Sequence, residues 1–391
     1  MKIIQYLPYS YHIHTWGLEK IAQTISDWLN QEIDTEVINI ASDVRRWTWW
    51  DFNDYEDTLF TPSFDLVYNF PVPKFWTRSF WRQYGVIKNH QPDVIMTHTR
   101  FFVQSLVGGL IAKWLWCKRV HVEHGSGFVT WYPRYIKRSA WLFDWTIGLW
   151  ILRQCNKIIT ISEMHKQFIS KFTSKTPTVI YNPIDYQAQE RIPQSATTAL
   201  CSNECFIKGE QKIHIGFVGR LVSLKWVDIL IQALKRIEDK DWICTIVWTG
   251  DQDTILQDLV DKKWLSHSAE DGAGRITFVW GDDRTNWLHK FDIFVNPSYQ
   301  EWLPTTVVEA LLAKCIVVAT DIGGTREISN QGDLILCRSG DIEDLREKLE
   351  MAFNSLKKNG LSYERVQEKF GVKKTIQQYH NILSHNLRDE R

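Results

Sequence analysis

Glycine is scarce in this chain. There are 20 glycines among 391 residues, where average usage of about 7% would give roughly 27. An excess of charge of either sign is also missing, since 46 Lys+Arg balance 46 Asp+Glu. That balance argues against a partner held by net charge, so no nucleic-acid partner is expected. Cysteine is sparse and scattered, seven residues in all. Cys201 and Cys205 form the one close pair, and no His or Cys stands at zinc spacing. This pattern makes neither a disulfide framework nor a zinc site, and the thiols read as reduced and structural, as in a cytoplasmic protein. Long hydrophobic runs are absent. The most apolar stretch, residues 140–152, is too short to span a bilayer and is interrupted by Asp144. The N-terminal run Met1-Lys-Ile-Ile-Gln-Tyr-Leu is too short and polar for a signal peptide and reads as a first strand.

What is abundant is length and tryptophan. A chain of 391 residues exceeds one ordinary core and predicts two domains. Apolar strand-like runs alternate with helical periodicity, which predicts an α/β fold with parallel sheets. Strands are expected at 1–7, 36–40, 65–69, 93–98, 119–123, 157–161 and 178–181, then at 212–218, 242–247, 276–279, 292–296, 316–319 and 334–336. Helices are expected from Leu18 onward and over 75–84, 101–115, 228–237, 253–262, 305–313, 341–355 and 362–387. Ile21, Ile25 and Leu29 share one face of the first helix. Ser162 reads as a helix cap with Glu163 in the first turn. Residues 45–60 read as a loop.

Residues 296–328, NPSYQEWLPTTVVEALLAKCIVVATDIGGTREI, organise the second half. They spell strand, loop, helix, strand and loop. Pro304 suits a first helical turn, where its missing N–H costs nothing. The free N–H groups of that turn form an anion site. Glu301 precedes the turn and Glu309 lies inside the helix. A phosphate cradle with two acids suits a phosphorylated sugar. Upstream, Gly216-Phe-Val-Gly-Arg-Leu-Val-Ser-Leu-Lys225 places Gly219, Arg220 and Lys225 after a strand. Arginine there can fork to two phosphate oxygens and lysine adds a mobile charge. Two surface cations on a loop are the plainer alternative.

Together these elements resemble the signature of the family 4 (group 1) glycosyltransferases of GT-B fold: Glu301, seven residues, Glu309, the Asp-Ile-Gly-Gly turn, and the upstream strand with its glycine, arginine and lysine. The resemblance implies two Rossmann-like doubly wound α/β domains facing a cleft. Residues 1–185 would bind the acceptor, 186–210 would link, and 211–365 would bind the nucleotide sugar. A C-terminal helix in 366–391 would cross back to the first domain. The implied reaction moves a hexose from a nucleotide-sugar donor to an acceptor hydroxyl with retention of configuration. No cofactor is implied, the nucleotide sugar being a substrate. No metal is implied either: no Asp-x-Asp stands at a strand end, and Asp251-Gln-Asp253 matches a turn.

In this scheme Arg220 and Lys225 stabilise the leaving diphosphate. Glu309 holds the donor ribose, and Glu301 binds sugar hydroxyls or faces the anomeric carbon. Gly17, Gly219, Leu303, Pro304, Thr305 and Thr306 belong to the donor-binding loops. His124 follows the strand 119–123 and precedes Gly-Ser-Gly127. Ligands of open parallel sheets bind beyond such strand ends. A lone histidine is usually structural, but this one matches the family's acceptor-side histidine, to hold a phosphate or orient an acceptor hydroxyl. His98, at the tip Thr97-His98-Thr99-Arg100, is a weaker candidate of the same kind.

The segments 75–84 and 132–154 mix basic and aromatic residues. Each suits a helix packed on the sheet, or one meeting anionic lipid from the cytoplasmic side. The partners expected are therefore a nucleotide sugar and a glycan or lipid-linked acceptor of envelope polysaccharide or glycolipid synthesis, with peripheral membrane contact.

The 20 tryptophans have a pattern. The resemblance expects glycine at Trp16, Trp226 and Trp302, and favours it at Trp116, Trp248 and Trp280. These read as turns where glycine alone is cheap. Trp76, Trp81 and Trp141 fit aromatic surroundings. Two readings stand: the tryptophans are genuine, or UGA codons that the source translates as glycine have been written as tryptophan. Genuine indoles at 226 and 302 would crowd the donor loop and leave a catalytically inactive nucleotide-sugar-binding protein. A third class, an epimerase or phosphorylase of the same shape, should lack the paired glutamates or carry a lysine for pyridoxal phosphate.

Overall fold

The computed structural model describes residues 1–9, 17–32, 35–43, 58–65, 71–73, 76–125, 138, 141–185, 212–237, 239–249, 275–280, 287–328, 332–355 and 362–388. The chain forms two compact units. One is Met1–Pro183 with Val372–Arg391, and the other is Ile184–Gly371. The expected linker 186–210 and helix 253–262 lie outside the described residues.

The first unit is built on eight strands: β1 (Lys2–Tyr9), β2 (Glu36–Asp43), β3 (Thr58–Asp65), β4 (Pro71–Pro73), β5 (Val94–His98), β6 (Lys118–Glu123), β7 (Lys157–Thr160) and β8 (Thr178–Val179). Their order is β4-β3-β2-β1-β5-β6-β7-β8. Every neighbouring pair is parallel except β3 with β4. The order reverses between β1 and β5, the kind of switch point where open α/β sheets bind ligands. β3, Thr58–Asp65, takes in the last three residues of the expected loop 45–60 and the first of the strand expected at 65–69; the rest of both lies outside the described residues. Pro62 hid it, because a proline argues against a strand interior. Here the strand lies next to the short edge strand β4.

Around this sheet run α1 (Gly17–Glu32), α2 (Trp76–His90), α3 (Val103–Leu115), α4 (Leu149–Gln154) and α5 (Glu163–Ile169). A π-turn, Asp144–Gly148, leads into α4. Ile25 and Leu29 of α1 are fully buried, as their four-residue spacing requires. They share a core with Ile3, Val94 and Val120 and with residues from the chain's end. Each such buried side chain contributes about 1.5–3 kcal/mol. Ser162 caps α5 by accepting the His165 N–H at 3.2 Å.

The second unit has six strands, all parallel: β9 (Ile213–Arg220), β10 (Trp242–Thr249), β11 (Ile276–Trp280), β12 (Ile293–Asn296), β13 (Ile316–Thr320) and β14 (Leu334–Cys337). The order is β11-β10-β9-β12-β13-β14, with its switch point between β9 and β12. Helices α6 (Val227–Lys235), α7 (Thr305–Leu312), α8 (Thr325–Ile328), α9 (Ile342–Phe353) and α10 (Ser362–Phe370) accompany it. Gly216 on β9 is obligatory for packing, because a Cβ there would lie 2.0 Å from the Phe291 ring. Asp341 caps α9 through the N–H groups of Glu343 and Asp344.

The tail expected as one amphipathic segment is two helices, α10 and α11 (Val372–Arg388), and they belong to different units. Gly371 makes the break. A Cβ there would sit 2.4 Å from the Gln367 carbonyl oxygen. Val372, Ile376, Tyr379 and Leu383 of α11 join the α1 core of the first unit. The five described cysteines are free, four of them buried. Among the described residues no helix is long and apolar enough to cross a membrane.

Candidate active site

In the second unit, the loops after β9 and β12 converge beyond the carboxyl ends of the switch-point strands. The Tyr299 N–H donates to the Leu224 carbonyl at 2.7 Å, which ties one loop to the other. Across this tie the Lys225 ammonium contacts the Glu301 carboxylate. Glu301 also accepts from the Ser298 hydroxyl at 2.8 Å and the Asn296 amide at 3.5 Å. Thr320 on β13 donates to the Ser298 carbonyl at 2.6 Å and braces the loop from below. The Lys225 side chain is 21% exposed and that of Glu301 12% exposed. The pair therefore reaches solvent while being shielded from most of its screening.

Pro304 stands one position earlier than expected. It is the N-cap of α7, not a first-turn residue, and its carbonyl accepts the Val307 N–H at 3.1 Å. Extended backbone at Pro304 releases the chain from the loop, and the helix starts at Thr305. Thr305 and Thr306 are half-buried, and their N–H groups precede the first α-helical bonds. Leu303 and Glu309 are buried. Arg220, at the end of β9, is exposed. At Gly219 a Cβ would press the Phe217 ring at 3.1 Å. Lys225 and Glu301 are thus joined directly, with the α7 N-terminus beside them in sequence and Arg220 on the strand leading in. Gly17 and His124 belong to the other unit. Gly17 opens α1 at the surface, where a Cβ would meet nothing within 4 Å.

The tryptophans separate into classes. Trp226 has φ +44° and Trp116 has φ +59°, both left-handed. Trp116 follows α3 in a Schellman arrangement, with the Cys117 N–H on the Ala112 carbonyl at 3.0 Å, a position that glycine usually fills. Its indole is 94% exposed. Trp226 packs its ring 4.7 Å from that of Tyr299 and lies against Gly340. Trp248 and Trp280 are instead paired strand residues, and Trp302 is not left-handed, so no turn geometry demands glycine there. Trp16 lies outside the described residues.

In the first unit, His124 sits just past β6 over a buried polar network. Its Nε2 is 3.0 Å from Nδ1 of His98, and the two rings stack. Glu123 and Arg100 beneath are almost wholly buried and ion-paired at 2.9 Å. Arg100 also grips Asp144 through two bonds, at 2.6 and 3.2 Å, and reaches the Gly125 carbonyl at 3.1 Å. The Gly125 N–H returns to Glu123 at 3.0 Å. The turn that carries His124 is thereby clamped from both sides.

Burial alone would raise the Glu123 carboxyl, but Arg100, His121 and the Gly125 N–H reverse this into a net lowering. Burial lowers His124 to about 3, with the neighbouring histidines adding to the effect. Burial likewise holds His98 well below its ordinary range. Both rings are neutral at pH 7.

Reading the sequence missed Arg100, Glu123, Asp144, Asn296 and Ser298. Arg100 was visible only as the end of a polar tip, and Asp144 only as an interruption in an apolar stretch. That interruption was the available signal, because a charge inside an apolar helix face needs a partner.

The residues of both units also match known families. Residues 11–188 match the model described as Glycosyltransferase Family 4. Residues 212–355 match the one described as Glycosyl transferases group 1. An uncharacterized glycosyltransferase of Methanocaldococcus jannaschii is 24% identical over 96% of both chains. A putative teichuronic acid biosynthesis glycosyltransferase of Bacillus subtilis is 24% identical over 74% of this chain and 70% of its own. The fold is shared with Anabaena HepE, solved with UDP and glucose, at TM-score 0.73 and 16% identity, over 98% of this chain and all of that one. With one match on each unit, in chain order, the chain belongs to the family 4 (group 1) glycosyltransferases and has their GT-B architecture.

Proposed function

We propose that this glycosyltransferase moves a hexose from a nucleotide-sugar donor to an acceptor hydroxyl, with retention of configuration and without a metal or other cofactor. The observation that carries the reading is the Lys225–Glu301 pair beside the N-terminus of α7. A donor diphosphate arriving there meets an ammonium, the first-turn N–H groups at Thr305 and Thr306, and the exposed Arg220 guanidinium. Lys225 exchanges a Glu301 oxygen for a phosphate oxygen, which frees Glu301 for the sugar hydroxyls. Lys225 and Arg220 then stabilise charge on the departing nucleoside diphosphate as the glycosidic bond breaks. Glu309 takes the ribose, and Leu303 and Pro304 wall the site. Gly219 and Gly17 let backbone come close, and His124 meets a substrate oxygen.

The division of labour follows the family: acceptor on residues 1–185, donor on 211–365, the linker 186–210 between, and, of the tail 366–391, the part from Val372 belonging with the first unit. The UDP and glucose held by the Anabaena protein support a nucleotide-sugar donor. The teichuronic acid biosynthesis role of the Bacillus relative supports an envelope polysaccharide acceptor. Exposed Trp81, Trp114, Trp141, Leu142 and Trp145 support contact with a membrane that carries a lipid-linked acceptor on its cytoplasmic face.

The test is release of nucleoside diphosphate from a panel of nucleotide sugars, followed by NMR of the product's anomeric proton. The expected result is release by the native protein, loss of release in Lys225→Ala and Glu309→Ala, and product with the donor's configuration. Donor binding without release by the native protein would overturn the reading.

A second reading has one observation behind it. The Trp226 indole lies beside Lys225, against Tyr299 and Gly340, in the loop the donor must approach. If that tryptophan is genuine, the chain binds a nucleotide sugar and does not turn it over. Peptide mass spectrometry of protein from its native source decides this at two places. The tryptic fragments 226–235 and 291–314 hold positions 226 and 302. Glycine masses open the loop, and tryptophan masses favour the binding protein.

A further inference from the structure

The geometry points to His98 as a positioning residue that locks His124 in its neutral Nδ1–H form. The inference rests on the reading that His124 meets substrate. His98 is completely buried at the end of β5, and its ring has one hydrogen-bond partner, Nε2 of His124 at 3.0 Å. Its own Nε2 is buried with no partner at all. A single proton lies between the two rings, so there are two arrangements of neutral imidazoles. If His124 donates, the proton of His98 must sit on Nε2, stranded in the interior. If His98 donates from Nδ1, its buried Nε2 is a bare lone pair and no N–H is stranded. Orphaned buried N–H groups are rarer than under-satisfied acceptors, so the second arrangement is favoured.

That choice propagates. With its Nε2 accepting from His98, His124 carries its proton on Nδ1. Nδ1 of His124 makes no hydrogen bond among the described residues and is not among the enclosed polar atoms. The outward nitrogen is therefore an N–H donor that waits for an acceptor oxygen. It has no free lone pair with which to take a proton from an attacking hydroxyl. His98 itself is held from behind, since the Ser105 hydroxyl donates to its carbonyl at 2.8 Å and the Thr99 N–H donates to the Val122 carbonyl at 2.9 Å. The other groups around the pair leave the shared proton alone. His121 is engaged by the Thr97 hydroxyl at 2.8 Å and by Glu123 at 3.4 Å, Glu123 by Arg100, and His165, which also faces His124, by the Ser162 hydroxyl at 2.5 Å.

Nitrogen-15 NMR of histidine-labelled protein reads the lock directly, with His124 assigned by the signal lost in His124→Gln. The full chain should show His124 as the Nδ1–H tautomer at neutral pH. His98→Met removes the donor and leaves only a thioether acceptor facing Nε2, so His124 should turn towards Nε2–H, the form a free imidazole prefers. This variant also deletes an unsatisfied buried nitrogen, so its thermal midpoint should hold. Turnover of a nucleotide sugar should fall roughly 100-fold in kcat, with donor KM little changed. His98→Asn, whose side-chain N–H can replace the Nδ1–H, should recover most of the loss. A native His124 already in the Nε2–H form, or a tautomer unmoved by His98→Met, overturns the inference. A tautomer that switches while kcat stays constant upholds the lock and overturns the substrate role of His124 instead.

Discussion

The polar clusters of the two units stand at equivalent places, beyond the carboxyl ends of parallel strands, yet they are built on opposite plans. In the first unit Arg100, Glu123 and Asp144 are nearly sealed from solvent, and every charge is matched inside the protein. The residue that cluster carries at its strand end, His124, is itself a buried, neutral imidazole. In the second unit Lys225 and Glu301 keep partial exposure, Arg220 is exposed at a strand end, and a helix begins a few residues after Glu301. Buried pairs cost desolvation and mainly fix geometry, whereas half-exposed charge remains available to an incoming anion. The contrast teaches that one cluster holds shape and the other offers charge.

Four changes would break or sharpen that contrast. The largest effect is expected from Arg100→Met, which strands two buried carboxylates. A cost of about 3–5 kcal/mol is expected, read as a lower urea midpoint. A loss as small as that of Lys225→Ala would mean the two clusters do not differ in kind. Lys225→Ala should leave stability within about 1 kcal/mol, yet lower nucleotide-sugar turnover about 100- to 1000-fold.

Third comes acid. Burial holds His124 at about 3 and His165 and His214 at about 4, against an ordinary 6.5. The unfolded chain therefore binds protons first as pH falls below 6.5, and stability drops from there towards about pH 4. Each histidine adds about 1.4 kcal/mol per pH unit over its window. Two of the three belong to the first unit, so a tryptophan or NMR probe there should report loss of structure at the higher pH. Simultaneous loss in both units would blunt the contrast.

The smallest effect is expected from Trp116→Gly. Removing a Cβ from a left-handed position, with an indole that packs on little, should stabilise the chain by about 1 kcal/mol, seen as a higher thermal midpoint. A lower midpoint would show that the indole has a packing role.

Most of the fold was legible because its signals are local. The four-residue spacing of Ile21, Ile25 and Leu29, the cap at Ser162, and the apolar runs of β5, β9 and β12 need no distant partner to be read. The strand-end and helix-start positions of the candidate donor-side residues were legible for the same reason, since Gly219, Arg220 and Lys225 follow one strand and Glu301 and Glu309 flank one helix start. The failures were also local in origin. Pro62 masked β3, and the tail read as one amphipathic run because nothing in its periodicity reveals the close approach at Gly371. Trp248 and Trp280 were grouped with turn residues, and their strand pairing removes that reason.

By itself, then, the order of residues determined the alternation of strands and helices, the strand-end placement of the candidate residues, and the oddity of tryptophan where glycine belongs. Those properties depend on neighbours a few positions apart. Only the tertiary structure decided that Lys225 meets Glu301 across 76 positions, that Arg100 meets Asp144 across 44, and that His98 leans on His124 across 26. Such pairings are set by where parallel strands end side by side, a property of sheet order and register that no short stretch of sequence contains.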